Sequence, residues 1–171
     1  CLVAGSPKEF QFNQSTLQDP YFFTNVTLNG AAIASEDWVG AFTPFGVCVG
    51  ARQWDTSQCG GGTCDVVVMG NDGSEYTTGY ASTGDAITFM IYDYSEGSYT
   101  EDVTPSEDIP GAASGFPTID ALVGCSMGAY KDCWTGCVAT EADCPDCPSG
   151  TSHKDVYLNY ENVCVPDEFI S

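Results

Sequence analysis

Two runs decide how this chain folds: Trp38-Val39-Gly40-Ala41-Phe42-Thr43 and Val47-Cys48-Val49-Gly50-Ala51-Arg52-Gln53-Trp54. Both are short and rich in β-branched and aromatic residues. Neither repeats with helical periodicity, so both read as strands. Working outward, the same composition recurs at residues 9–12, 21–28, 65–69, 76–80, 86–92 and 119–123. Turn formers separate these runs. Asn29-Gly30 and Asp72-Gly73 supply the positive φ that tight reversals need. Asn71-Asp72-Gly73-Ser74 predicts a hairpin between two strands, and Thr83-Gly84-Asp85 a second. Residues 101–118 hold Pro105, Pro110 and Pro117 with several Gly and Ser, and they predict a long loop. The pattern is that of an all-β fold, an antiparallel β-sandwich of immunoglobulin-like or jelly-roll-like type. It is expected to fill residues 1–124, with 1–18 able to form an extended arm.

Residues 125–171 differ. Six of the ten cysteines lie there, Cys125, Cys133, Cys137, Cys144, Cys147 and Cys164, while Cys1, Cys48, Cys59 and Cys64 precede them. A segment this short cannot build a large apolar core, so crosslinks are expected to hold a cysteine-rich module. One or two helical turns are expected within 130–138 and a short strand at 157–160. Thiols at this density point to an oxidising, extracellular compartment and about five disulfides. Cys59-Gly60-Gly61-Gly62-Thr63-Cys64 predicts a stapled reversal, because the glycines let the flanking Cα atoms approach. Cys48 then needs another partner, Cys1 or a cysteine of the tail. Cys133-x3-Cys137 and Cys144-Pro145-Asp146-Cys147 have zinc-knuckle or redox spacing. With His153 the only histidine, structural disulfides are favoured.

With 24 acidic residues against four basic ones, the formal net charge is −20. Such a surface repels nucleic-acid backbones and anionic lipid, and no stretch is apolar enough to cross a membrane. Chain start at Cys1, without a signal segment, leads us to expect a mature product or an excised piece. Negative charge attracts cations, and Ca2+ prefers oxygen ligands. The candidate ligands are Asn71, Asp72 and Glu75 in one turn and Asp93 and Glu96 in another, with Glu36 and Asp37 before Trp38. None has EF-hand spacing. Asn13-Gln14-Ser15 and Asn25-Val26-Thr27 are N-glycosylation sequons, so N-linked glycans are expected at Asn13 and Asn25. Asn162-Val163-Cys164 is a weaker variant. Arg52, the sole arginine, is expected to pair with Asp55 or Asp65.

No catalytic arrangement stands out. His153 has no serine-elbow or H-E-x-x-H partner, and two carboxylates at glycosidase separation cannot be read from spacing. Aromatic side chains offer a binding chemistry instead. Tyr92, Tyr94 and Tyr99 surround an acidic turn, Tyr76 and Tyr80 share one face of an expected strand, and Trp54 or Trp134 could stack on a pyranose ring.

Asp37-Trp38-Val39-Gly40-Ala41-Phe42, followed by Val47-Cys48-Val49-Gly50-Ala51, resembles the core of β-sandwich modules found in large secreted and surface proteins, often bacterial. The similarity extends through Trp54-Asp55-Thr56, the Cys59–Cys64 turn, Val68-Met69-Gly70-Asn71-Asp72-Gly73 and Phe89-Met90-Ile91-Tyr92-Asp93, over roughly residues 9–124; the cysteine-rich tail lies outside it. The resemblance implies an accessory role, whether adhesive, matrix-forming or carbohydrate-associated, and carries over no catalytic residue. We therefore expect a non-enzymatic extracellular structural or adhesive protein. Its partners would be copies of itself or other matrix proteins, joined by edge contacts or by strand addition with Phe10 and Phe12 as anchors. The alternative is a carbohydrate-binding module.

Overall fold

A computed structural model describes residues 5–126 with their side chains and, as backbone, residues 130–132, 136–138, 151–156 and 161–166. Nine strands build an all-β sandwich: β1 (Gln18–Leu28), β2 (Ala31–Ala32), β3 (Trp38–Phe42), β4 (Cys48–Gln53), β5 (Cys64–Met69), β6 (Thr88–Asp93), β7 (Ser98–Thr100), β8 (Val103–Pro105) and β9 (Thr118–Gly124). One sheet runs β4-β3-β6-β7, all antiparallel. In the other, β1 is central. Its first half pairs with β5 and its last two residues with β2, while β9 and then β8 lie on its far side. The β1–β9 pair is parallel, the one departure from antiparallel pairing among these strands.

Alternation explains the core. Tyr21 and Phe23 of β1, Val66 and Val68 of β5 and Ile119 of β9 are buried, as are Val39 and Ala41 of β3, Val49 of β4 and Phe89 and Ile91 of β6. Phe89 joins the sheets, with its ring edge-on to Phe23 at 5.1 Å and to Tyr21 at 5.9 Å. Trp54 closes one end of this core, 6.3 Å from Phe23.

β3 is buried at all five positions, because a second layer covers its outer face. Residues 9–12 do not form the expected strand. Pro7 opens a 3₁₀ turn, Lys8–Phe10, closed by the Phe10 N–H donating to the Pro7 carbonyl at 2.9 Å. Phe10 then lies over Gly40, where a Cβ would come within 3.0 Å of three ring atoms. Phe42, Tyr92 and Tyr99 surround the ring edge-on or tilted, at 5.7, 6.5 and 5.5 Å. Phe10 is fully buried and Phe12 is 5% exposed. This corrects the expectation of an extended arm with Phe10 and Phe12 as intermolecular anchors, since both rings belong to the chain's own core.

Residues 76–80 are not a strand either. A 3₁₀ turn, Glu75–Thr77, wraps the backbone around the buried Thr77. The predicted hairpin at 71–74 is therefore a loop, closed by an isolated bridge between Gly70 and Ala81. Inside the expected 101–118 loop, β8 forms, because Val103, Thr104 and Pro105 line up with Gly124, Val123 and Leu122 of β9. Asn29 (φ 52°) and Gly30 (φ 82°) make the predicted reversal between β1 and β2.

In the tail, β10 (Tyr130–Asp132) pairs antiparallel with β11 (Gly136–Val138), and β12 (Thr151–Val156) with β13 (Glu161–Pro166). Where helical turns were expected within 130–138, residues 130–132 and 136–138 are thus strands; Gly136 and the β-branched Val138 are poor helix formers. The strand expected at 157–160 lies outside the described residues.

Candidate binding surface

Cys59 and Cys64 form a disulfide with Cα atoms 5.2 Å apart. Gly61 (φ 67°) and Gly62 (φ 81°) occupy the left-handed region that this reversal demands. Cys125 is also disulfide-bonded and buried. Cys48 corrects the expectation that every cysteine is bridged. Its thiol is free and buried in β4, and lies 3.6 Å from the Gly50 carbonyl oxygen. Burial pushes its pKa up to about 11, so it is neutral and unreactive at ordinary pH. Cys1, Cys133, Cys144 and Cys147 lie outside the described residues, as do the side chains of Cys137 and Cys164.

Of the expected Ca2+ ligands, Asn71, Asp72 and Asp93 fasten turns with their side chains. Asp72 accepts from the Thr16 N–H and Oγ1 (3.0 and 3.1 Å), the Ser74 N–H (3.1 Å) and Thr77 Oγ1 (2.7 Å). Those donors, led by the Thr16 amide, hold its pKa well below the usual carboxylate range. The Asn71 Oδ1 accepts from the Gly73 N–H at 3.0 Å. Asp93 accepts from Ser95 Oγ (2.8 Å) and the Glu96 N–H (3.0 Å), which lowers its pKa too. Among the described residues no group of three or more His, Cys, Asp or Glu side chains gathers in one place. Arg52 pairs with Asp65 across β4 and β5, one of the two expected partners.

The two sequons differ in setting. Asn25 is exposed on β1. Asn13 is half-buried, its Nδ2 donates to the Tyr76 carbonyl at 3.3 Å, and the sequon's Ser15 is buried with Oγ donating to the Gly70 carbonyl at 2.6 Å.

Among the aromatics, Trp54 is core, and Trp134 lies outside the described residues. Tyr80 is buried, its hydroxyl accepting from the Asn13 N–H at 2.6 Å, while Tyr76 is exposed; without the strand they share no face. Tyr92 and Tyr99 pair across β6 and β7 with ring centroids 4.7 Å apart, and Tyr99 keeps 36% of its surface in water. Tyr94 is 63% exposed, a value close to the 66% of Tyr76. It begins the β6–β7 turn and lines a groove of about 580 Å³ with Asn29, Ile33, Glu36, Asp93 and Ser95.

Two carboxylates fix this turn. Asp93 caps it from within. Asp37, 6% exposed, accepts from the Tyr94 N–H at 2.9 Å and from the Ala34 N–H at 2.7 Å, so it ties the turn to the opposite wall of the groove. The Asp37 carbonyl also accepts from the Trp54 N–H at 2.7 Å. The groove thus presents an exposed aromatic ring, on a turn held by hydrogen bonds, beside hydrogen-bond acceptors. Nothing in the local sequence marks Asp37 as the residue that positions Tyr94, 57 positions away.

No family model, curated protein or solved structure matches the chain.

Proposed function

We propose that this chain is an extracellular, non-catalytic adhesive module and that its adhesive face is the Tyr94 groove, taking carbohydrate. The observation that carries this is Tyr94, a large aromatic left in water on a turn that Asp37 and Asp93 hold in place. A tyrosine face stacks on the C–H surface of a pyranose ring. The Glu36 carboxylate along the groove has an oxygen left to accept a hydrogen bond from a sugar hydroxyl. Mounting the ring on a fixed turn lowers the ordering cost of binding. The disulfide at Cys59–Cys64 and the oxidised Cys125 support the extracellular assignment.

A glycan array followed by calorimetry tests the proposal. Saturable binding to at least one glycan is expected, with a loss of about 1–3 kcal/mol in Tyr94→Ala, the range that truncating an aromatic anchor gives. Binding unchanged in Tyr94→Ala refutes it.

Self-association is a second reading, favoured by a specific feature. Among the described residues, β7 pairs only with β6, so it leaves an outer strand edge for another copy. Light scattering across protein concentration tests it; a monomer at every concentration excludes a homopolymer.

A further inference from the structure

We propose a second ligand site at the mouth of the sandwich, specific for an organic ammonium: a protonated amine on a compact apolar body. A cleft of about 780 Å³ opens there, between the start of β1, the end of β5 and residues 111–116. That volume is typical of small-molecule sites. Leu17, Val68, Ala112 and Phe116 supply apolar wall, and Asp19 lies among them.

Asp19 decides the ligand class. It occupies the inward face of β1, in step with Tyr21 and Phe23, and is 8% exposed. A carboxylate so placed needs a cation or several donors. It has one hydrogen bond, accepted by Oδ2 from the Ala113 N–H. Among the described residues no donor reaches Oδ1, which keeps contact with solvent, and the ion pairs are Lys8–Glu9 and Arg52–Asp65, neither of which involves Asp19. Desolvation raises its pKa, against the opposing pull of the Ala113 amide. An ammonium group on Oδ1 would supply the missing charge. The net charge of −20 favours arrival of a cation over an anion.

The apolar part of the ligand follows from the rim. Leu17 is 54% exposed and Phe116 69% exposed, two large apolar side chains left in water at the same opening. The walls are already fixed. Gly70 donates to the Leu17 carbonyl at 2.9 Å, and Ala112 exchanges backbone hydrogen bonds with the turn at 84–85, accepting from Gly84 at 2.8 Å and donating to Asp85 at 2.9 Å. Ala113 holds φ 59°, an unfavourable angle for a residue with a Cβ, and its N–H meets the Asp19 carboxylate there.

The competing explanation is that Asp19 merely caps the 111–116 loop. Asp19→Asn separates the two, because an amide oxygen still accepts from Ala113 but carries no charge. Calorimetric titration of the full chain with 3-phenylpropylammonium, and with neutral 3-phenylpropan-1-ol as control, is the experiment. Saturable binding of the ammonium is expected, weakened about tenfold or more in the alcohol and in Asp19→Asn. Phe116→Ser, at an exposed position that leaves the fold intact, is expected to weaken the ammonium several-fold. Backbone amide shifts at Leu17, Ala113 and Phe116 would locate it. No saturable binding, equal binding of the alcohol, binding unchanged in Asp19→Asn or in Phe116→Ser, or shifts confined to another surface each overturn the proposal.

Discussion

Truncating Phe10 tests the arrangement on which the assembly question turns, namely that residues 7–12 roof their own sheet. The ring is fully buried and sits among Phe42, Tyr92 and Tyr99 over Gly40. Phe→Ala at such a site costs about 3–5 kcal/mol, from lost transfer energy plus the cavity left behind. We take about 4 kcal/mol, since three aromatic neighbours lose edge contacts. For a chain of this size that lowers Tm by about 8–16 °C. Gly40→Ala attacks the same contact from below. Its Cβ would press on three Phe10 ring atoms at 3.0 Å, so the ring must lift, at a cost of about 1–3 kcal/mol. In the Phe10→Ala background that methyl enters empty space, and Gly40→Ala should cost almost nothing. A double-mutant cycle, measured by urea unfolding with disulfides intact and followed by tryptophan fluorescence, should therefore return a coupling of about 1–3 kcal/mol. A Phe10→Ala protein as stable as its parent, or additive costs, would refute the roof and restore a free arm available to a neighbouring molecule.

Three further outcomes follow from the same geometry. Gly50→Ala should destabilise by about 3 kcal/mol in urea unfolding, because its Cβ would overlap the Val67 carbonyl where β4 crosses β5; Gly60→Ala, with nothing within 4 Å, is the neutral control. Cys48 should resist alkylation in the native state and react on unfolding without reductant. Since ten cysteines less Cys48 leaves nine, an odd number, peptide mapping should find at most four bridges within the chain. Stability against pH should carry two opposed contributions. Asp72 and Asp93, held below their ordinary pKa, stabilise the fold above about pH 4 and lose that effect as pH falls through the carboxylate range and below. Asp19, raised, does the reverse: its charged form costs stability at neutral pH, and the cost disappears as pH falls through its raised pKa. Asp19→Asn should thus be at least as stable as the parent at pH 7, with the difference shrinking toward pH 4; a difference independent of pH refutes the assignment.

How much of this was legible in the sequence depends on what each residue answers to. Strands β1, β3, β4, β5, β6 and β9 were readable because inward residues of a sandwich alternate, or run continuously when both faces are covered. The Cys59–Cys64 staple was readable because it is local. The 9–12 and 76–80 runs had strand composition without strand partners. Phe10 and Phe12 cover an existing sheet, and the backbone at 76–80 is bent by Thr77, whose hydroxyl serves an aspartate five residues earlier. Conversely, β8 carries a proline and no strong pattern, and exists because β9 offers it an edge. Composition reports what a residue prefers, whereas these segments were decided by what lay next to them.

The candidate surfaces show the same division more sharply. Clusters of acids close in sequence looked like cation ligands, yet the Asp93 carboxylate is engaged by donors of its own turn, and the Asp72 carboxylate by its own turn together with Thr16, 56 residues away. Of the acids that shape the two grooves, Asp93 and Asp37 lay within those clusters and Asp19 apart from them. Asp37 grips the Tyr94 amide 57 residues away, and Asp19 takes the Ala113 amide 94 residues away. A carboxylate that already holds several donors, as Asp72 does, has little capacity left for a ligand. One held deep in the fold by distant backbone is both costlier to bury and better placed to meet something from outside. In a chain this acidic, burial against the strand's own alternation therefore discriminates better than clustering. Asp19 is the clearest case, an acid on a face that otherwise presents Tyr21 and Phe23 to the core.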